Sequence, residues 1–233
     1  MSPELSTFSV LGFGFLLGLW HAKDPDHLAA VSTIVAEKKS LLNSMIVGGF
    51  WGVGHTLAIL VVGMLVIFLK LQISEAMEAR LEAVVGAMLV LLGLNALVKL
   101  FRKSTIHIHT HEHDGLEHTH VHTHKDEKKE EAHHFRHFSP RSVAIGMVHG
   151  LAGSAGVMLL VLPTIDTPAV AILYMVLFGV GSIAGMMLMS LLIGLPIHLT
   201  AGRFSALNKS ILGAAGLLSL GLGVFIIYEK LLV

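Results

Sequence analysis

His21-Ala22-Lys23-Asp24-Pro25-Asp26-His27 sits in the middle of an apolar stretch covering residues 7–36. A helix crossing about 30 Å of hydrocarbon needs roughly 20 mostly apolar residues, so 7–36 is long enough to span. A central Asp or Lys costs about 2.5–3.5 kcal/mol each on insertion scales. Lys23, Asp24 and Asp26 therefore cost roughly 8–10 kcal/mol together before any pairing. Such residues face a cavity, a partner or an ion, or else they form a loop between a short span and an interfacial helix. On a regular helix Asp26 and His27 lie about 140° and 240° around from His21, so the three share no face. Pro25, however, has no N–H and clashes with the carbonyl of His21. A break there lets the side chains converge and frees backbone carbonyls. Irregular backbone at membrane depth is tolerated only when buried in protein or lining a water-filled cavity. The stretch thus reads as a broken helix built around a polar site.

Five further segments qualify as spans, at about 41–71, 77–101, 141–165, 168–200 and 207–232. The composition agrees: 54% of the 233 residues are hydrophobic and 14% charged, against about 25% charged in soluble domains. With a formal net charge of zero, no basic surface points to nucleic acid. The absence of cysteine excludes disulfides, thiolate metal sites and Cys nucleophiles. The N-terminus has no basic n-region or small-residue cleavage site, so the first segment is expected to be retained as a span. The expected fold is an all-α polytopic membrane protein of six transmembrane helices, the first broken at the metal motif.

Residues 102–140 form the one long polar stretch, hold most of the 16 histidines and are expected to be disordered. They separate residues 1–101 from 141–233, which resemble each other. Gly18-Leu19-Trp20-His21 matches Gly146-Met147-Val148-His149, an offset of 128. Gly52-Val53-Gly54-His55 matches Gly179-Val180-Gly181-Ser182, and Gly86-Ala87 matches Gly213-Ala214, both at 127. Three helices per copy make the second copy enter the membrane from the opposite side, so the repeats are expected to be inverted, an arrangement common in secondary transporters. Lys38, Lys39, Arg102, Lys103, Arg203 and Lys209 lie on one side, against Lys70, Arg80 and Lys230 on the other. The positive-inside rule then places 102–140 in the cytoplasm and both termini outside it.

His55 lies mid-span after two glycines that allow close helix approach, and it is a candidate third imidazole ligand beside His21, Asp26 and His27. His149 takes the repeat position of His21, but Gly150-Leu151-Ala152-Gly153 replaces the acidic cluster. It either completes the first site or packs. Asn95 is an interhelical hydrogen-bonding or outer-shell residue. Imidazole with carboxylate suits Ni²⁺, Co²⁺ or Zn²⁺ better than Cu(I) or Mg²⁺. Met186, Met187 and Met189 read as apolar filler. In the long loop, His107, His109, His111, His113, His118, His120, His122 and His124 alternate with other residues. Such tracts bind divalent metals with modest selectivity, so the loop reads as a metal buffer or sensor.

The spacing His21-x4-Asp26-His27 resembles the signature of the nickel/cobalt transporter family and of its shorter, urease-accessory-type nickel permeases. Gly52-Val53-Gly54-His55-Thr56 is similar to that family's second motif, with Val53 in place of Leu. The resemblance implies that His21, Asp26, His27 and His55 bind metal, with Asp24 inside the motif. The His-rich loop is also similar to that of nickel/cobalt efflux proteins of the same superfamily. Transport of Ni²⁺ or Co²⁺ by alternating access, with no cofactor and no enzymatic activity, is the expected function. The partners are the ion, the bilayer and a candidate cytoplasmic metallochaperone. No Walker A sequence is present, so the driving force comes from a gradient or an ATPase partner. Two other readings are an intramembrane metalloenzyme with Asp24 as base and haem ligation by two histidines.

Overall fold

Helix α1 (Pro3–His21) ends four residues before Pro25, and α2 (Pro25–Val35) begins on that proline. Proline suits the first helical position because its missing N–H would have no intrahelical partner. It also biases the preceding residue away from helical geometry, and Asp24 adopts φ −59°, ψ 144°. The structure, a computed structural model, describes residues 3–36, 40–70, 74–101, 106–113, 116–123, 139–153, 165, 167–201 and 205–232.

The remaining helices are α3 (Leu41–Leu69), α4 (Glu75–Phe101), α5 (Pro140–Gly153), α6 (Pro168–Ala201) and α7 (Ser205–Leu232). Ser40 caps α3 by accepting from the Asn43 N–H at 3.2 Å, and Lys70 closes it in the left-handed region at φ 49°. Helices α3, α4, α6 and α7 are each long and apolar enough to cross a membrane, whereas the apolar part of α1, Thr7–His21, is shorter. The expectation is six transmembrane helices, the first broken at the metal motif; the break is present, but the described residues do not give six spans. Four helices have full length among the described residues, and the first expected span is divided by Pro25. The fourth runs from α5 into 154–164, outside the described residues.

Between α4 and α5, β1 (Ile106–His113) and β2 (Leu116–Thr123) form an antiparallel hairpin. Apart from this pair, the described elements are all helical, as expected. The polar composition suggested an unstructured loop, but strict alternation is a strand period.

The distribution of apolar surface is the reverse of a soluble protein's. Phe8, Phe13, Trp20, Phe68, Phe101, Leu217 and Phe225 face outward. Ser44, His55, Thr56, His149, Ser182, Ser190 and Ser219 are buried. Small residues let the helix backbones meet. A Cβ on Gly18 of α1 would overlap the Phe178 carbonyl of α6, and one on Gly146 of α5 would overlap the Trp51 carbonyl of α3. Gly181 meets the Phe15 carbonyl, and Gly54 meets that of Val143. Gly52 packs on Ile183, and Gly179 on Thr56. In each pair of contacts, adding 127 or 128 to the residues of the first half gives those of the second. Helix α4 packs on α7, where the Ser219 hydroxyl donates to the Leu89 carbonyl at 2.9 Å and Lys230 pairs with Glu82 at 2.7 Å.

Candidate metal centre

The interruption between α1 and α2 brings together the charged residues that the sequence placed in an apolar segment. The Lys23 and Asp24 N–H groups donate to the Trp20 and His21 carbonyls, each at 3.0 Å, and turn the chain. This turn sets Asp24 beside the last residue of α1, so His21 Nδ1 lies 2.7 Å from Asp24 Oδ2. Lys23 is turned away and lies over the Trp20 ring, a cation–π arrangement.

Asp26 stands in the first turn of α2, where the helix dipole favours a negative charge. Its Oδ1 accepts from the His27 backbone N–H at 2.9 Å and lies 3.0 Å from His27 Nδ1. Its Oδ2 lies 2.8 Å from Nε2 of His149 on α5. His55 comes from α3, fourteen residues from either end of that helix. At 1.5 Å per residue, it stands about 21 Å from each end.

His21, His27, His55 and His149 form one group of buried rings, the most exposed at 4%. His27 is central, with ring centroids 4.5 Å from His21, 5.2 Å from His55 and 4.1 Å from His149. Trp51 and Phe178, which carry no functional signal in the sequence, wall the group. Trp51 lies 5.3 Å from His27, and Phe178 lies 5.6 Å from His21. His21, His27 and His55 each offer a nitrogen within 4.8 Å of the others, and Asp26, His27 and His149 make a second such trio. His21 Nε2, His27 Nε2, both nitrogens of His55 and Nδ1 of His149 are buried without a hydrogen-bond partner among the described residues. Buried polar atoms ordinarily have one. Nitrogen-rich donors converging without partners fit a borderline divalent cation such as nickel.

All six residues singled out for the membrane site are thus gathered at one place. His107, His109, His111, His113, His118, His120 and His122 lie on the hairpin, and His124 lies outside the described residues. His198 Nδ1 is 2.9 Å from the Gly194 carbonyl, within its own helix. Asn95 lines a separate cavity of about 40 Å³ with Thr33, Ser139 and Ser142. Met186 is packed in the core against Gly52, as filler would be.

Comparison with known proteins points the same way. The profile described as high-affinity nickel-transport protein matches residues 7–228. The chain is 36% identical over 226 residues to the urease accessory protein UreH of Bacillus sp. (strain TB-90), covering 97% of this chain and 93% of that one. It is 26% identical over 221 residues to the chloroplast protein FOR GROWTH AND FERTILITY 2 of Arabidopsis thaliana, covering 93% of this chain and 55% of that one. No solved structure matches it. With a family match over nearly its whole length and apolar helices around a buried imidazole cluster, the chain belongs to the NicO family of high-affinity nickel-transport proteins, integral membrane transporters rather than enzymes.

Proposed function

We propose that Ni²⁺ crosses the membrane through the His21–His27–His55 cluster near the bilayer midplane, with Co²⁺ as a second substrate and Zn²⁺ a poorer one. The observation carrying this reading is the convergence of three buried imidazoles from α1, α2 and α3 within 4.8 Å, two with Nε2 and one with both nitrogens lacking a hydrogen-bond partner among the described residues. The central place of His55 in a full-length span supports the depth.

Alternating access arises from rocking of two inverted repeats, residues 1–101 and 141–233, about this site. The paired glycine contacts support it. An approximate twofold relation between the halves requires every contact between residue i of one and j of the other to recur with the halves exchanged. The Gly18–Phe178 and Trp51–Gly146 contacts are related in that way. Rocking of repeats around a fixed midplane site is a known transporter mechanism.

The hairpin acts as a cytoplasmic metal buffer. Its register sets His107 opposite His122, His109 opposite His120, and His111 opposite His118. Tracts of alternating histidine bind divalent metals, and this register sets histidine against histidine along the ladder.

Purified protein in liposomes loaded with a metal-sensitive dye tests the central reading. Wild-type vesicles should take up Ni²⁺, and His55→Ala should reduce the rate more than tenfold. Flux unchanged by His55→Ala and by His27→Ala would refute the cluster as the pathway. Competition by Co²⁺ and Zn²⁺ in the same vesicles ranks the ions.

A further inference from the structure

The two aspartates of the motif make their contacts behind the imidazoles. A carboxylate is acceptor-only, so Asp24 accepts a hydrogen bond from His21 Nδ1–H and Asp26 accepts one from His27 Nδ1–H. A neutral imidazole protonated at Nδ1 has its lone pair on Nε2, and in both residues Nε2 is the buried, unpartnered atom. His55 adds a third imidazole with no hydrogen bond at either nitrogen among the described residues. Both oxygens of Asp26 are already engaged, Oδ1 by His27 and Oδ2 by Nε2 of His149. A metal-bound histidine almost always donates its other N–H to a carboxylate, carbonyl or water, which fixes the ring and raises its basicity.

Resting on the pathway proposed above, we infer that the ion is held by three imidazoles, with Asp24 and Asp26 as orienting carboxylates. In this arrangement His149 is a positioning residue that fixes Asp26. The charges balance: a dication and two carboxylates sum to zero around neutral imidazoles, which lessens the cost of holding a bare dication among apolar helices. The arrangement also gives His149 a role in coupling. It belongs to α5, in the second half of the chain, whereas the three imidazoles and both aspartates belong to the first. The His149–Asp26 hydrogen bond joins the two halves directly behind a metal-binding ring. Movement of one half against the other pulls on the group that sets the His27 tautomer, and so alters its hold on the ion.

The test uses full-length protein with all eleven histidines of residues 102–140 replaced by serine, so that the intramembrane imidazoles report. Ni²⁺ affinity is measured by competition with a chelator, and X-ray absorption counts imidazole and carboxylate ligands on the bound ion. The parent protein should show three imidazoles and no protein carboxylate. His149→Ala should keep three imidazoles while affinity falls about 10–100-fold, the usual effect of losing an outer partner. His149→Gln, whose amide N–H lies at the reach of Nε2, should recover most of that loss. His149→Asn, one carbon shorter, should not, and this contrast decides the matter if the alanine variant fails to fold. Loss of one imidazole in a His149 variant would make it a ligand and overturn the proposal. Unchanged affinity, or Gln behaving like Asn, would also overturn it by leaving His149 a packing role alone. His27→Ala is measured alongside. Ni²⁺ binding that survives it lies elsewhere and refutes the pathway itself, a result separable from any His149 outcome.

Discussion

Gly54 has no room for one more carbon. A Cβ there would overlap the Val143 carbonyl where α3 crosses α5, one residue before His55. Overpacking of this kind costs about 1–3 kcal/mol, so Gly54→Ala should lower the thermal midpoint in detergent. Gly12, where a Cβ would meet nothing within 4 Å, is the control, and a Gly54→Ala protein as stable as Gly12→Ala would contradict the packing. At this scale the sequence reveals which residues matter more readily than what they do. His21, Asp24, Asp26, His27 and His55 stand out because charged and imidazole side chains are rare in apolar segments. Their division into ring and supporting carboxylate depends on the turn at residues 22–24, which no spacing rule supplies. His149 illustrates the limit. Its repeat position is visible, but the nitrogen that meets Asp26 is known only once α5 lies against α2. Trp51 and Phe178 carried no signal, because an aromatic residue in an apolar helix is ordinarily core.

Pro25 acts on whole elements. Without it, α1 can continue into α2 as one helix, and His27 then returns to about 240° from His21. Pro25→Ala should therefore abolish high-affinity Ni²⁺ binding while helical content, read by circular dichroism, stays equal or rises. Binding retained with wild-type affinity would show that the break is not what assembles the cluster. This element is legible because proline has a fixed local effect, whereas composition and periodicity point different ways over 102–140. Polarity and charge over 102–140 suggested disorder, yet His-x-His alternation gives β1 and β2 their period. The proposed buffer role depends on that register as well as on the number of histidines. Leu116→Pro leaves every histidine in place and removes the donor of the pair that closes the hairpin, His113–Leu116. Equilibrium dialysis should then find fewer Ni²⁺ ions retained per chain, and an unchanged number would mean that composition alone suffices.

Across the whole molecule, the ends of the helices decide which loops share a side. The cavity near Asn95 brings residues of α2 and α4 beside Ser139, Arg141 and Ser142 at the start of α5. Gly194, late in α6, packs on Val35 at the end of α2 and on Ser44 at the start of α3. The segments following α2, α4 and α6 thus leave from one end of the bundle, and in sequence these are the segments carrying Lys38, Lys39, Arg102, Lys103 and Arg203. Of the six apolar segments, four are full-length helices among the described residues, the first is divided at Pro25, and the fourth continues from α5 into residues outside the described ones. The charge count requires each half to cross an odd number of times, so it rests on α1 with α2, and on the segment that begins with α5, each completing one crossing. On that condition the positive-inside rule predicts the hairpin in the cytoplasm and both termini outside, which labelling tests. The chain has no cysteine, so a single introduced thiol reports its own location. In intact cells a membrane-impermeant maleimide should label Ser2→Cys and Val233→Cys, and should reach Lys128→Cys only after permeabilisation. The opposite pattern would put the hairpin outside, where its histidines would meet the ion before the membrane site rather than on the cytoplasmic side of it.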